Sequence, residues 1–488
     1  MSVAQRAFVM VWDGMRPDLI SPELTPNLVR LAGEGVRCSD SHAVFPTVTR
    51  VNSASLATGV LPAVHGIVGN SLYAPLVDRR AAISVGDHRS LFALIESRGG
   101  RLVPCDTLAD RVAAAGGRTV VVSTGSPGSA FLCHPRVREC DGDRLFNPAI
   151  MLPGGAADEL VAGLGPIPAP TVPNTAQDAY FARAVVEYVL PTLAPTLLVF
   201  WHTDPDKTQH HHGFGSSEAL AAIRNADAHL GLMLGALDAS GRRDETAVVI
   251  VSDHGYVSIE PAVDPAAPFV SAGLGDALEG GRLVLATNGC SLYVYVPDGD
   301  AELIGRVATA LEDWEHGGPV FSGARGLPPA EGTLPLALVG LDGDLAPDVL
   351  CALAWDDAPN EYGWAGRSAG LDPKYGASHG GISPREIRNT LVLAGAGLKA
   401  GQVDPLPVGN LDVAPTLLRL LGLEPPPDQH GRVLVEVLLG GPQPAELDVH
   451  PEAITAARGP FRQRLHFSRV GDARYLDFGR AERNHTPA

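Results

Sequence analysis

Several acidic and imidazole side chains stand where a folded chain could gather them around metal ions. Asp206 and His210 are four apart in DPDKTQHHHG, Asp253 and His254 are adjacent in VIVSDHG, His379 lies in GASHGG, and Asp13 closes an apolar run. Carboxylate with imidazole is a donor set suited to zinc and tolerated by manganese or iron. Each has an ordinary alternative: a lone histidine is commonly a hydrogen-bonded structural group, and the histidine run at 210–212 reads equally as a solvated loop. A candidate nucleophile lies in FPTVTRVNSASLATG, which passes from a proline-bearing turn into a helix starting at or near Thr49. Free N–H groups and the helix dipole favour an anion there. A threonine hydroxyl needs activation, which a metal ion supplies by stabilising the alkoxide. The competing reading is a helix cap, with Thr49 or Asn52 satisfying backbone donors.

Positioning these groups requires a frame. Short apolar runs at 8–12, 119–122, 197–201, 247–251 and 391–393 read as central parallel strands. Stretches at 26–32, 176–190, 218–237 and 412–421 carry apolar residues at helical spacing. The alternation predicts an α/β fold, a mostly parallel sheet sandwiched by helices. Asp13, the 202–206 segment and Asp253 each follow one of those strands, and ligands bind beyond the carboxyl ends of strands in such sheets. The chain divides into residues 1–256 as the first part of a catalytic core, 257–375 as a small α+β cap-like insertion, and 376–488 as the second part. The insertion is Gly/Pro-rich, with an alternating run SLYVYV at 291–296 and a helix at 302–314. The segment 152–173 reads as a loop, and the tail after 459 as a terminal hairpin.

The formal net charge of -18 argues against a partner with a phosphate backbone, which needs a basic footprint. A small anionic substrate remains compatible, because bound metal dominates its local field. No run approaches the roughly 20 apolar residues of a membrane span, and the first residues lack a secretory pattern. A cytoplasmic protein without membrane association is expected. The six cysteines form no CxxC pair and read as reduced, mostly buried thiols.

Together, WDGMRPD, TPNLVRLAGEGV, FPTVTRVNSASLATGVLPAVHGIVGN, DPDKTQHHHG, SDHG, SHGG and LDVAPTLLRLLGLEPP resemble the nucleotide pyrophosphatase/phosphodiesterase branch of the alkaline phosphatase superfamily. They occur in family order from about residue 10 to 430. The resemblance implies two zinc ions: one held by Asp13, Thr49, Asp253 and His254, the other by Asp206, His210 and His379. It implies Thr49 as the nucleophile of a phosphothreonine-type intermediate, and Asn70 as the amide that steadies a phosphoryl oxygen. The expected activity is hydrolysis of phosphodiester or nucleotide pyrophosphate bonds on a small phosphorylated substrate such as a nucleotide.

One departure stands out. The family usually has Phe-Pro after the nucleophile, where this chain has Arg50 and Val51. Arg50 could pair with a substrate phosphate or carboxylate, which leaves a monoesterase or a C–P hydrolase as alternatives. A phosphomutase-type isomerase and an inactive binding protein are the more distant ones. Lys207 is a further candidate anion contact. His65 is expected to support the loop presenting Asn70, and His202, His211 and His212 to orient ligands. Asp204 would do the same or cap a turn, and Trp12 and Tyr73 would line the pocket or belong to the core.

Overall fold

Nine strands form the central sheet of the computed structural model, which describes residues 4–483. Their order is Gln402–Gly409, Val36–His42, Leu391–Gly395, Thr246–Val251, Arg6–Trp12, Leu197–His202, Thr119–Ser123, Arg144–Asn147 and Ile150–Leu152. Only Leu391–Gly395 and Ile150–Leu152 run against the rest, so the sheet is mostly parallel as expected. Both faces are covered. Along the first strand Val9 and Val11 enter one core while Phe8, Met10 and Trp12 enter the other. A strand buried on both sides reads as an unbroken apolar run rather than an alternating one.

Helices Pro26–Glu34 and Ser217–Ala239 pack on the Trp12 side through Leu28, Leu31, Ile223 and Leu230. Buried Asp227 of the second helix accepts the Asn27 and Leu28 N–H groups, capping the start of the first. Helices Thr49–Thr58, Leu108–Ala114, Pro127–Cys133 and Val413–Leu420 cover the opposite face.

Four expectations need correction. The 391–393 strand is antiparallel to both neighbours. The chain leaves Thr246–Val251 at the carboxyl edge and builds its later elements there. It then re-enters from that same edge without the crossover a parallel return demands. The 152–173 segment holds a helix, Ala156–Leu164, whose Ala156 and Leu160 are buried. Flanking glycines and prolines hide its short periodicity. The 176–190 helix is helical over Thr175–Ala184 and then widens into a π-type turn, Val185–Leu193, which contains Pro191. The terminal hairpin is a three-stranded sheet of Val449–Arg458, Phe461–Val470 and Ala473–Arg483. Its first strand is largely exposed, with alternate residues from Glu452 only partly covered, and its sequence VHPEAITAAR carries no regular apolar–polar alternation.

Between the Thr246–Val251 and Leu391–Gly395 strands lie two smaller sheets. One has five strands, Val284–Asn288, Ser291–Tyr295, Val349–Leu353, Gly317–Ser322 and Leu334–Pro335. It shares a core with helix Ala301–Asp313 through Leu292, Val294, Leu303 and Val307. The other pairs Trp355–Pro359, Ala365–Gly370, Val257–Ala262 and Ala377–Ser378. No helix among the described residues is long and apolar enough to cross a membrane, and all six cysteines are free thiols.

Candidate active site

Seven strands point the same way, so the residues that follow them collect at one edge. Asp13 follows Arg6–Trp12, Asp206 follows Leu197–His202, and Asp253 and His254 follow Thr246–Val251. The reversed strand supplies the remaining group: His379 lies just upstream of Leu391, on the chain entering from that edge. Two donor clusters result, Asp13 with Asp253 and His254, and Asp206 with His210 and His379. The His254 and His379 rings stack with centroids 3.6 Å apart and so join the clusters.

The donor atoms of each cluster crowd together. In each of the three histidines Nδ1 lies on a backbone carbonyl: His210 on Ala377 at 2.9 Å, His379 on Thr47 at 2.7 Å, and His254 on Gly255 at 2.9 Å. A carbonyl only accepts, so Nδ1 carries the hydrogen and Nε2 offers its lone pair inward. His254 Nε2 is 3.2 Å from Asp253 Oδ2 and 3.5 Å from Asp13 Oδ1. His210 and His379 Nε2 lie 3.3 and 3.4 Å from Asp206 Oδ1. Tetrahedral donors about 2.0–2.1 Å from a zinc ion stand about 3.3 Å from each other. Asp13 Oδ1, Asp206 Oδ1 and Asp253 Oδ2 are all buried without a hydrogen-bond partner. Orphaned acceptors set at ligand spacing fit a pair of divalent cations.

The electrostatics agree. Burial, then the charges of Asp253 and Asp206, raise the Asp13 carboxyl well above its usual range. Burial also raises Asp253, against the opposing pull of His254 and the Gly14 N–H. Burial alone would raise Asp206 too, but the imidazoles of His210, His379 and His254 hold it below the carboxylate range. Burial, reinforced by His254, pushes His379 well down. Asp13 and Asp253 are thus held against ionisation by burial and by neighbouring acids, a strain that positive charge placed among them relieves.

Thr49 is the first residue of its helix; Val48 occupies the cap position and contributes no side-chain bond. The capping reading of Thr49 and Asn52 therefore fails. Asn52 instead grips the turn before the helix, accepting the Val44 N–H and donating to the Val44 and Val48 carbonyls. Thr49 Oγ1 lies 3.3 Å from His254 Nε2, beside the first cluster. Asn70 Oδ1 accepts the Arg50 N–H at 3.1 Å, which fixes the amide next to Thr49. Thr49, Arg50, Asn70, Asp206, Lys207, His210 and His379 all line one cleft of about 580 Å³. A larger cleft of about 1100 Å³ beside helix Ala301–Asp313 holds none of these groups. The grouping of His134, Cys140 and Asp143 differs in kind: both Asp143 oxygens are satisfied, by the His134 ring and the Thr119 N–H.

Other expected residues separate. His65 is buried, with Nδ1 accepting the Ile67 N–H and Nε2 on Ser55 Oγ, so it braces the chain ahead of Asn70. Asp204 caps a turn, accepting the Thr208 N–H and hydroxyl. His202 pairs with His229 rather than with a donor of either cluster. His211 and His212 are exposed at the helix end, and only His211 reaches the cleft wall, against Tyr375. Trp12 is wholly buried in the core. Tyr73 packs on Tyr295 and bonds the Arg79 carbonyl, away from the site.

Several supports had no motif to announce them. Trp201 Nε1 donates to Asp13 Oδ2 at 2.9 Å, and the Gly14 N–H to Asp253 Oδ1 at 3.1 Å. Thr47 Oγ1 accepts the Gly380 N–H and donates to the Gly381 carbonyl, clamping the His379 loop. Asn410 Nδ2 donates to Asn52 Oδ1 at 2.9 Å and to the Asp253 carbonyl at 2.8 Å, tying the Thr49 helix to a donor. Asn288 exchanges two bonds with the Ser71 backbone, next to Asn70. Gly289, at φ +65, touches the His379 carbonyl so closely that a Cβ would lie 1.9 Å from it.

The chain is similar to known proteins in sequence and in fold. Residues 7–317 match the family model for type I phosphodiesterase / nucleotide pyrophosphatase. An uncharacterised pyrophosphatase/phosphodiesterase of Schizosaccharomyces pombe is 35% identical over 72 residues, 15% of each chain. Ectonucleotide pyrophosphatase/phosphodiesterase family member 1 of Rattus norvegicus is 24% identical over 247 residues, 50% of this chain and 23% of the relative. The matched stretch thus spans about a quarter or less of the curated relatives. Murine ectonucleotide pyrophosphatase/phosphodiesterase 5 has the same fold, with a TM-score of 0.61 at 16% identity over 87% of this chain and 96% of its own. With nearly two thirds of its length inside the family model, the chain belongs to the type I phosphodiesterase / nucleotide pyrophosphatase family.

Proposed function

We propose that the protein is a metal-dependent hydrolase of phosphodiester or nucleotide pyrophosphate bonds that works through a phosphorylated Thr49. The observation that carries this reading is the Thr49 hydroxyl beside clustered donors whose three buried carboxylate oxygens lack partners. Asp13, Thr49, Asp253 and His254 would hold one divalent cation and Asp206, His210 and His379 the other, with zinc suited to the donors and manganese or iron tolerated. When bound, such ions supply the positive charge that makes a hydroxyl nucleophilic at neutral pH and that offsets charge on phosphoryl oxygens.

The chain's own groups do the rest. Thr49 Oγ1 gives its proton to solvent and attacks phosphorus; the Thr49 Oγ1–P bond forms as the bond to the leaving oxygen breaks, and that oxygen takes a proton from solvent to depart as an alcohol, or leaves as phosphate. Water then attacks the phosphothreonine, restoring the hydroxyl and releasing the phosphorylated product. The Asn70 amide, held by the Arg50 N–H, donates to a non-bridging oxygen. Family membership supports the bond type, and the complex of the murine neighbour's inactive form with AMP supports a small nucleotide as substrate.

The test uses zinc-loaded protein and p-nitrophenyl thymidine 5′-monophosphate. Thr49→Ala should lower kcat by roughly three orders of magnitude or more. Acid quenching of the wild type should trap phosphate on Thr49, seen by peptide mass spectrometry. Activity of the variant within tenfold of wild type would remove the covalent step.

A further inference from the structure

Arg50 is the least explained charge in the cleft. Among the described residues no carboxylate lies within 4.0 Å of its guanidinium, and its buried Nε has no hydrogen-bond partner. An arginine left unpaired in a partly buried place sacrifices solvation without return unless something else arrives to meet it. Arg50 follows Thr49 directly in the chain and lines the same cleft as Asp206, His210 and His379. Its position is not loose. The backbone N–H is committed to Asn70, and the guanidinium rests on Gly86, where a Cβ would lie 2.9 Å from Nη2. Lys207 lines the same cleft, one residue after Asp206, and it too has no acidic partner among the described residues.

The charge count gives this meaning. Two divalent cations would bring four positive charges against the three carboxylates of Asp13, Asp206 and Asp253. Arg50 and Lys207 then add two more, against which the cleft sets only Asp372. A monoanionic dialkyl ester cancels half of the remaining excess, and a dianion all of it. The walls favour a compact polar group over a stacked ring: Thr124, Ser126, Asn147 and Gln177 line them, and among the described residues Tyr375 is the only phenol or indole-type ring there.

We infer that Arg50 is a specificity-determining residue that selects substrates carrying a second negative charge next to the reacting phosphorus. That charge is the neighbouring phosphate of a nucleotide pyrophosphate, the second charge of a phosphomonoester or phosphonate, or a carboxylate a bond or two away. The guanidinium's planar set of N–H donors matches each of these groups in a bidentate contact, which a second negative charge strengthens over the one a singly charged diester offers. This rests on the reading of the cleft as a phosphoryl site, but concerns recognition rather than the chemical step.

The test separates the two. Zinc-loaded wild type, Arg50→Met and Arg50→Lys are titrated calorimetrically with methyl phosphate, phosphonoacetate and dimethyl phosphate. The same proteins are assayed on p-nitrophenyl phosphate and bis-p-nitrophenyl phosphate. Wild type should bind the dianions more tightly than dimethyl phosphate. Arg50→Met should lower that preference, and the monoester-to-diester ratio of kcat/KM, by about thirtyfold, as expected for one charge-assisted contact. Arg50→Lys should recover part of it. Loss confined to methyl phosphate places the second charge on phosphorus; loss confined to phosphonoacetate places it on the carboxylate. A preference in Arg50→Met within about threefold of wild type, or a wild type that binds dimethyl phosphate as tightly as the dianions, overturns the inference. Arg50-dependent binding without turnover of any ester would retain it and remove the hydrolase reading instead.

Discussion

Asn410 sits where the nucleophile's helix and a metal-donor strand end can be uncoupled by one substitution. Its Nδ2 donates to Asn52 Oδ1 and to the Asp253 carbonyl, and its Oδ1 accepts from Asn389 Nδ2 at 2.7 Å. In Asn410→Ala two of these partners keep another bond: Asn52 Oδ1 still receives the Val44 N–H, and Asn389 Nδ2 still reaches the Ser252 carbonyl. The Asp253 carbonyl loses its donor in a fully buried place, at a cost of about 1–3 kcal/mol. Truncating a buried side chain adds about 1 kcal/mol more. The expected destabilisation is therefore about 2–4 kcal/mol, read from urea unfolding of zinc-stripped protein. A purely structural role would end there. Because Asp253 then loses its backbone anchor, zinc affinity should also fall about 10–100-fold, as it does when the groups orienting a ligand are removed. Competition against a chromophoric chelator measures this. Asn27→Ala is the control, since Asn27 makes comparable bonds to Asp227 and neither residue lines the cleft. If Asn410→Ala binds zinc as tightly as the control, the coupling between Asn410 and the site does not exist.

Other consequences can be checked as directly. Adding zinc to stripped protein should raise the unfolding free energy by about 4 kcal/mol per site at free zinc about 1,000 times its Kd; superimposable melting curves with and without zinc would contradict the donor assignment. Gly289→Ala must either leave the left-handed region or push away the His379 carbonyl. It should cost at least about 1 kcal/mol and reduce bound zinc from two equivalents towards one, and full zinc content by elemental analysis would count against it. Burial, with His430 and Arg98, holds His65 down to about 3, far below its ordinary 6.5. The unfolded chain therefore takes up the proton first, and stability falls as pH drops through the window between those values. The loss at pH 5 relative to pH 7 is about 2 kcal/mol. His65→Gln should lack that part of the slope in urea midpoints, and an unchanged pH profile would refute it.

The frame and the donors were unusually legible because they obey simple rules. Strands covered on both faces announce themselves as apolar runs, and Asp13, Asp206 and Asp253 stand where those runs end. What escaped was the part decided by three-dimensional return paths. Nothing local to LVL at 391–393 tells whether that strand runs with or against its neighbours; the direction is set by the edge at which the preceding residues finish. Val36–His42 and Gln402–Gly409 carry too many polar residues, Ser39, Asp40 and Asp404 among them, to resemble central strands. The supports were hidden for another reason. Asn410, Asn288 and Thr47 act through backbone groups far away in sequence, so no spacing reveals them. Conversely His211 and His212 looked like metal chemistry because of their neighbour His210, but on a helix only one of three consecutive residues faces a given side.

The reversed strand also has a bearing on biosynthesis. Asp13, Thr49, Asp253 and His254 are all translated within the first 254 residues, whereas His379 follows another 125 positions later. A nascent chain halted anywhere in that interval has one donor trio intact and the other reduced to Asp206 and His210. The second donor group is thus completed late in synthesis, when the loop bearing His379 comes to lie against the Thr47 carbonyl.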